Sequence, residues 1–105
     1  MTAGSDKAEA IRQAMGEVRA GIDRLDEQLV ALLAERLALI RRAADVKGAP
    51  QDARVPWRVE EVAAKVRVRA AEVGFDADTA ERIWRAMMEE CIAFEEARLS
   101  ARNAR

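Results

Sequence analysis

The sequence predicts an all-α fold, and three observations carry that prediction. Half of the 105 residues are hydrophobic and 35% are charged, with Ala, Leu, Val, Glu and Arg prominent, which is the residue usage of helical proteins. Apolar residues recur at alternating steps of three and four, through Met15, Val18, Ile22, Leu25, Leu29 and Leu32, the period of one helical face. Strong breaks fall only around Gly48 to Ala53 and at Gly74. The expectation is three helices per chain, one of them a very long N-terminal helix. They form one domain over residues 10–100, between a disordered polar N-terminus (1–9) and a polar C-terminal tail (101–105).

The first helix is expected from about Ala10 to Val46, with Gly16 and Gly21 as its weak points. At ~1.5 Å per residue it is roughly 50 Å long, against a diameter of ~26 Å for a compact domain of this size. Its own short chain cannot wrap it, so a partner is expected. The segment Gly48-Ala49-Pro50-Gln51-Asp52-Ala53 is a turn, and Pro56 suits the first turn of a second helix. Val59, Val62, Val66, Ala70 and Val73 form that helix's apolar stripe, and Gly74 stands where a helix terminus places glycine. Asp76 or Asp78 caps the third helix, Asp78 with Glu81 fitting a capping box. Its buried face is expected to be Ile83, Met87, Cys91 and Phe94.

Composition also excludes function classes. The formal net charge is −1 with both signs interleaved, which gives no electrostatic footprint for nucleic acid or an anionic membrane. The opening MTAGSDKAEA lacks the basic and apolar regions of a signal peptide, and the longest apolar run, Leu29 to Ala34, is too short for a bilayer. A cytoplasmic protein is expected. A single cysteine, Cys91, excludes an internal disulfide, and the absence of histidine removes the commonest metal ligand and general base. The chemistry is therefore expected to rest on Arg, Lys and carboxyl groups, with no metal and no cofactor.

Continuing the first stripe past Leu32 gives Arg36, then Ile40, Ala43 and Lys47. A core-facing cation is costly unless paired, and the stripe offers no acid at matching spacing. Arg36 and Lys47 are eleven residues apart, with Cα atoms roughly 16 Å apart on one face, so both side chains can lean toward one small dianion. Arg supplies a planar fork for a carboxylate and Lys a mobile point charge. Arg19 is seventeen residues before Arg36, about 25 Å along the axis, and can share a small ligand only from another copy of the chain. A plainer alternative stands beside this one: Arg36 snorkels, Lys47 is solvated near a helix end, and Arg19 pairs with Asp23. Glu95 continues the step of four from Met87 and Cys91, as a boundary residue or as an acid in a site.

These residues resemble the helical (AroQ-type) chorismate mutases. The resemblance is carried by VRAGIDRLDEQLVALLAER, by Lys47, by Pro56-Trp57-Arg58-Val59-Glu60-Glu61-Val62, and by GFDADTAERIWRAMMEECIAFEE, over about residues 15–98. The pattern I-D-x-x-D-x-x-L-x-x-L-L-x-x-R from Ile22 to Arg36 is its most specific part, and isochorismate-pyruvate lyases share much of it. The resemblance implies an intertwined homodimeric helical bundle with two sites, each built from both protomers. It implies that Arg19 reaches into the partner's site for one substrate carboxylate and Arg36 holds the other. It further implies that Lys47 donates to the ether oxygen of the breaking C–O bond, that Glu95 is a second donor, and that Arg58 lies near the site.

The implied reaction, chorismate to prephenate, is a unimolecular pericyclic shift that needs no nucleophile, metal or cofactor. Its catalysis consists of holding the dianion in a compact conformer and stabilising the charge that grows on the ether oxygen. Glu95 can assist only as the neutral acid, which burial favours. The pattern breaks at helix two, where Val59 stands in place of the usual Glu that receives the ring hydroxyl, and Val55 in place of a frequent Asp. Glu60 and Glu61 point to other helix faces. That departure admits isochorismate as the substrate, with pyruvate and salicylate as products, or a non-catalytic helical dimerisation or regulatory module. Cys91 aligns with a small polar residue lining some family sites. Trp84, Met87, Met88 and Phe94 are expected in core or dimer packing, Trp57 over the site or in packing, and Arg12, Arg98, Arg102 and Arg105 at the solvated surface.

Overall fold

The computed structural model describes residues 3–104. It is all-α: helix α1 spans Ala3–Lys47, a single 3-10 turn spans Pro50–Asp52, α2 spans Pro56–Val73 and α3 spans Ala77–Asn103, with no strand among the described residues. The chain divides after Arg36 into two compact units, described in turn.

The first unit is the N-terminal part of α1. The helix begins at Ala3, seven residues before the expected start, so the segment expected to be disordered is helical from there; Met1 and Thr2 lie outside the described residues. Ala8, Ala10 and Ala14 are strong helix formers, Asp6 in the first turn complements the helix dipole, and Arg12 pairs with Glu9 at 2.6 Å. Gly16 and Gly21 do not interrupt it. The stripe from Met15 to Leu32, expected to be buried, is instead 40% to 59% exposed at its six positions. One helix has no opposing element within its own unit to cover such a face.

The second unit contains the end of α1, the turn, α2 and α3. Its core is Ala44, Ala53, Ala63, Ala70, Ala80, Met88, Ile92 and Leu99. Most of these are alanines, which let helix backbones approach closely. Leu99 has no exposed surface, a burial that contributes about 1.5–3 kcal/mol. Helices α2 and α3 pack against each other as an antiparallel hairpin. Gly74 takes the left-handed conformation (φ +76) at its head, and Phe75 N–H reaches back to the Ala70 carbonyl at 2.8 Å, a Schellman-type stop.

Asp76 is the α3 cap, accepting from Thr79 N–H at 2.9 Å. The alternative capping box does not form, because Asp78 and Glu81 both accept from Arg67. Arg85 joins Glu81 to Glu60 across the hairpin. These guanidiniums hold the Glu60 and Glu81 carboxyls below their ordinary range.

Two expectations about faces are corrected. On α3 the buried face is Ala80, Met88, Ile92, Glu95 and Leu99, while Met87, Cys91 and Phe94 are half-buried and Ile83 is half exposed. Apolar residues occupy both neighbouring faces of α3, and the hairpin closes on the one that carries Ala80, Met88, Ile92 and Leu99. On α2, Val73 is exposed because the stripe outruns the packed length. The third helix also continues past Ser100, where Arg102 reaches Asp45 and Asn103 bonds the Gly48 carbonyl; Arg105 is outside the described residues.

Candidate functional site

Lys47 is the last residue of α1. Gly48 follows in the left-handed region (φ +85), its N–H returning to the Ala44 carbonyl at 3.1 Å, and the chain turns away while the Lys47 side chain points into the second unit. The Lys47 ammonium donates to both carboxylate oxygens of Glu95, at 3.2 Å each, and to the Ala53 carbonyl at 3.2 Å. The Glu95 side chain is 4% exposed and that of Lys47 26%.

This is a buried carboxylate neutralised by a partly buried ammonium. Leaving such a charge without its partner costs about 3–5 kcal/mol, so the pair explains both why a lysine ends α1 on an apolar stripe and why an acid faces the core of α3. An ammonium carries three N–H donors, here directed at three oxygens of its own chain. Another oxygen can be served only if Glu95 releases a contact.

The other sequence-derived residues are placed as follows. Cys91, half-buried and one turn before Glu95 on α3, shares its side of the helix. Val59 and Val55 are half-buried at the start of α2, Val55 being its N-terminal flank in extended conformation. Arg58 is exposed and pairs with Glu61 one turn on. Glu60 is held by Arg85, so each acid that might replace the usual glutamate already has a guanidinium partner. Trp57 is 69% exposed and is not packed. In the first unit, Arg36 is half-buried and Arg19 exposed, both on α1.

Several contacts escaped the sequence reading. Arg98, expected at the solvated surface, grips the Asp45 carboxylate with two nitrogens at 3.0 and 3.1 Å, and its hydrogen bond holds that carboxyl below the usual range. Arg54 forms a bidentate pair with Glu89 at 2.8 and 2.6 Å, which lowers the Glu89 pKa and raises that of Arg54. Arg41 stands 5.8 Å from the centre of the Phe94 ring. A groove of about 500 Å³ on the outer side of α3 is lined by Phe94, Ala97, Arg98, Ala101 and Arg102. None of these pairings leaves a local signal, since their members are 35 or 53 residues apart.

Among the described residues no group of His, Cys, Asp and Glu is arranged to hold a metal ion, and no helix is long and apolar enough to cross a membrane. Within the second unit, the Lys47 ammonium beside the buried Glu95 carboxyl is a group that can polarise an anion. Against known proteins, the model of the family described as chorismate mutase type II matches residues 18–96. No curated protein and no solved structure matches the chain significantly.

Proposed function

Because the chain belongs to the chorismate mutase type II family, we propose that it catalyses the rearrangement of chorismate to prephenate. The observation that carries this reading is the Lys47–Glu95 pair, an ammonium and a carboxyl held at 3.2 Å in a largely buried setting. In the proposed mechanism Arg36 holds one carboxylate of the substrate and fixes the compact, chair-like conformer. Lys47 places positive charge against the ether oxygen as the C–O bond breaks, the effect that raises the rate most. Glu95 positions the Lys47 ammonium through its two oxygens and gives up a contact to free Lys47 N–H for the substrate. Arg58 leaves Glu61 to meet the ligand, with Cys91 and Val59 along the wall.

The same reading makes the protein a homodimer with shared active sites, Arg19 of each copy completing the site of the other. Two features support it. The α1 stripe from Met15 to Leu32 is exposed along its length, and α3 presents a second, half-buried face through Met87, Cys91 and Phe94 beside its outer groove. Apolar patches of this extent mark interaction surfaces. A cytoplasmic location and a place in aromatic amino acid biosynthesis, on the shikimate pathway, go with this function.

One observation favours a second reading. Val55 and Val59 remove the acceptor for the ring hydroxyl of chorismate, and Glu60 and Glu61 are occupied by Arg85 and Arg58. A site without that acceptor suits isochorismate, whose hydroxyl lies elsewhere on the ring, and the same cations would then promote loss of pyruvate to leave salicylate. Incubation with each substrate decides. Prephenate from chorismate supports the proposal, salicylate and pyruvate from isochorismate support the lyase, and inactivity on both identifies a non-catalytic dimerisation or regulatory module.

A further inference from the structure

The loop between α1 and α2 is fastened to α3 on both sides of the Lys47–Glu95 pair. At its start, Asn103 donates to the Gly48 carbonyl at 3.1 Å. At its end, the guanidinium of Arg54 grips the Glu89 carboxylate at 2.8 and 2.6 Å. Between these fastenings the Pro50–Asp52 turn closes through Asp52 N–H to Ala49 and Ala53 N–H to Pro50, at 3.0 and 3.1 Å. Ala53 is 3% exposed, and its carbonyl accepts from Lys47 at 3.2 Å. Arg54 is the residue directly after that carbonyl.

We propose that the Arg54–Glu89 pair is a positioning clamp for Lys47, acting through the Ala53 carbonyl; the proposal rests on the mutase reading above for its kinetic consequence. Half-exposed ion pairs contribute little to global stability, and both members here are about half exposed, 48% and 57%. A bidentate fork, however, fixes direction as well as distance. Glu89 lies six residues before Glu95 on α3, so one rigid helix carries both the clamp and the second partner of Lys47. With Arg54 held, the Ala53 carbonyl and Glu95 together define where the ammonium sits. With Arg54 released, the loop end gains freedom and the carbonyl no longer aims the ammonium. Electrostatic catalysis is sensitive to such a loss, because the donor must already stand where charge develops.

The test uses Arg54→Met, Glu89→Gln, Arg54→Lys and the swap Arg54→Glu with Glu89→Arg. In the first two, kcat should fall roughly tenfold, the scale of a sub-ångström misplacement, with KM within about twofold and the melting midpoint unchanged. Arg54→Lys, which keeps charge without the fork, should fall between these and wild type, and the swap should recover most of kcat. The ¹⁵N signal of the Lys47 ammonium should shift or broaden in Arg54→Met and return in the swap, a readout that needs no activity. An unchanged kcat in an active protein, or an unmoved ammonium signal, overturns the clamp. If wild type converts neither substrate, the mutase reading fails while the ammonium signal still decides the clamp.

Discussion

Leu29 and Leu99 are both leucines on long helices, and only Leu29 has apolar neighbours three and four positions away, yet Leu29 is 53% exposed and Leu99 has no exposed surface. The first belongs to the single-helix unit and the second to the unit in which three helical segments surround one core. Periodicity tells which side of a helix is apolar. It does not tell whether the chain itself supplies the cover. In the second unit Ala44, Ala63, Ala70 and Ala80 permit close approach, and ion pairs across the α2–α3 hairpin fix its register. In the first, a regular stripe is left for something else to bury. The Lys47–Glu95 pair and the exposed stripe therefore fall in different units, which makes them separable by experiment.

The largest effect is expected at the pair that defines the second unit. Lys47→Met removes the charge proposed to stabilise the ether oxygen, and the loss of one such donor is worth about 10²–10³ in kcat. The variant also strands Glu95, so the double variant Lys47→Met with Glu95→Gln serves as the folded control: it should melt close to wild type and remain inactive. Glu95→Gln alone, which keeps a hydrogen-bonding group beside Lys47, should keep activity. A Glu95→Gln variant as inactive as Lys47→Met would contradict that role.

Next comes the stripe. Leu25→Asp with Leu29→Asp should abolish association measured by sedimentation velocity, since burying each leucine is worth about 1.5–3 kcal/mol. Val68→Asp, at a residue that is 62% exposed on α2 and off the stripe, should leave the oligomeric state unchanged. Equal responses would erase the distinction between the two units.

A smaller effect is expected from acid. Asp45, Glu60 and Glu81 have carboxyls held below their ordinary values by Arg98 and Arg85. A carboxyl depressed in the folded state contributes stability that is present above its unfolded value and lost as pH falls through its folded one. The melting midpoint should thus be level from neutral pH down to the ordinary carboxylate range, and drop below it. In Asp45→Asn the drop should be shallower. The smallest change belongs to Asp76→Ala, which removes the α3 cap and should lower the melting midpoint by a few degrees without altering activity; an unmoved midpoint would deny Asp76 that role.

The fold class, the order of the helices and the stops at Gly48 and Gly74 were legible in the sequence because each rests on local rules: helical period, proline at a helix start, glycine at positive φ. Lys47 and Glu95 were legible as misfits, charges on apolar stripes, and the structure joins them. The choice of buried face on α3 was not, because Ile83, Met87 and Phe94 on one side and Met88, Ile92 and Leu99 on the other are comparably apolar, and only the packing of the hairpin decides between them. Arg54–Glu89 and Asp45–Arg98 were also invisible, since an ion pair across 35 or 53 residues depends on the loop that brings its members together. Helix α1 starts at Ala3, earlier than its apolar stripe predicts, because the alanine-rich segment before the stripe has helix propensity without an apolar face.

The central claim is that two copies of the chain complete one cationic site, Arg19 from one and Arg36 from the other. Arg19→Ala and Arg36→Ala homodimers should each be nearly inactive on chorismate. Heterodimers of the two, purified through distinct tags, should regain roughly half the activity of wild type, because two-fold symmetry leaves one intact site in each. Verified heterodimers with no recovery would contradict the shared site.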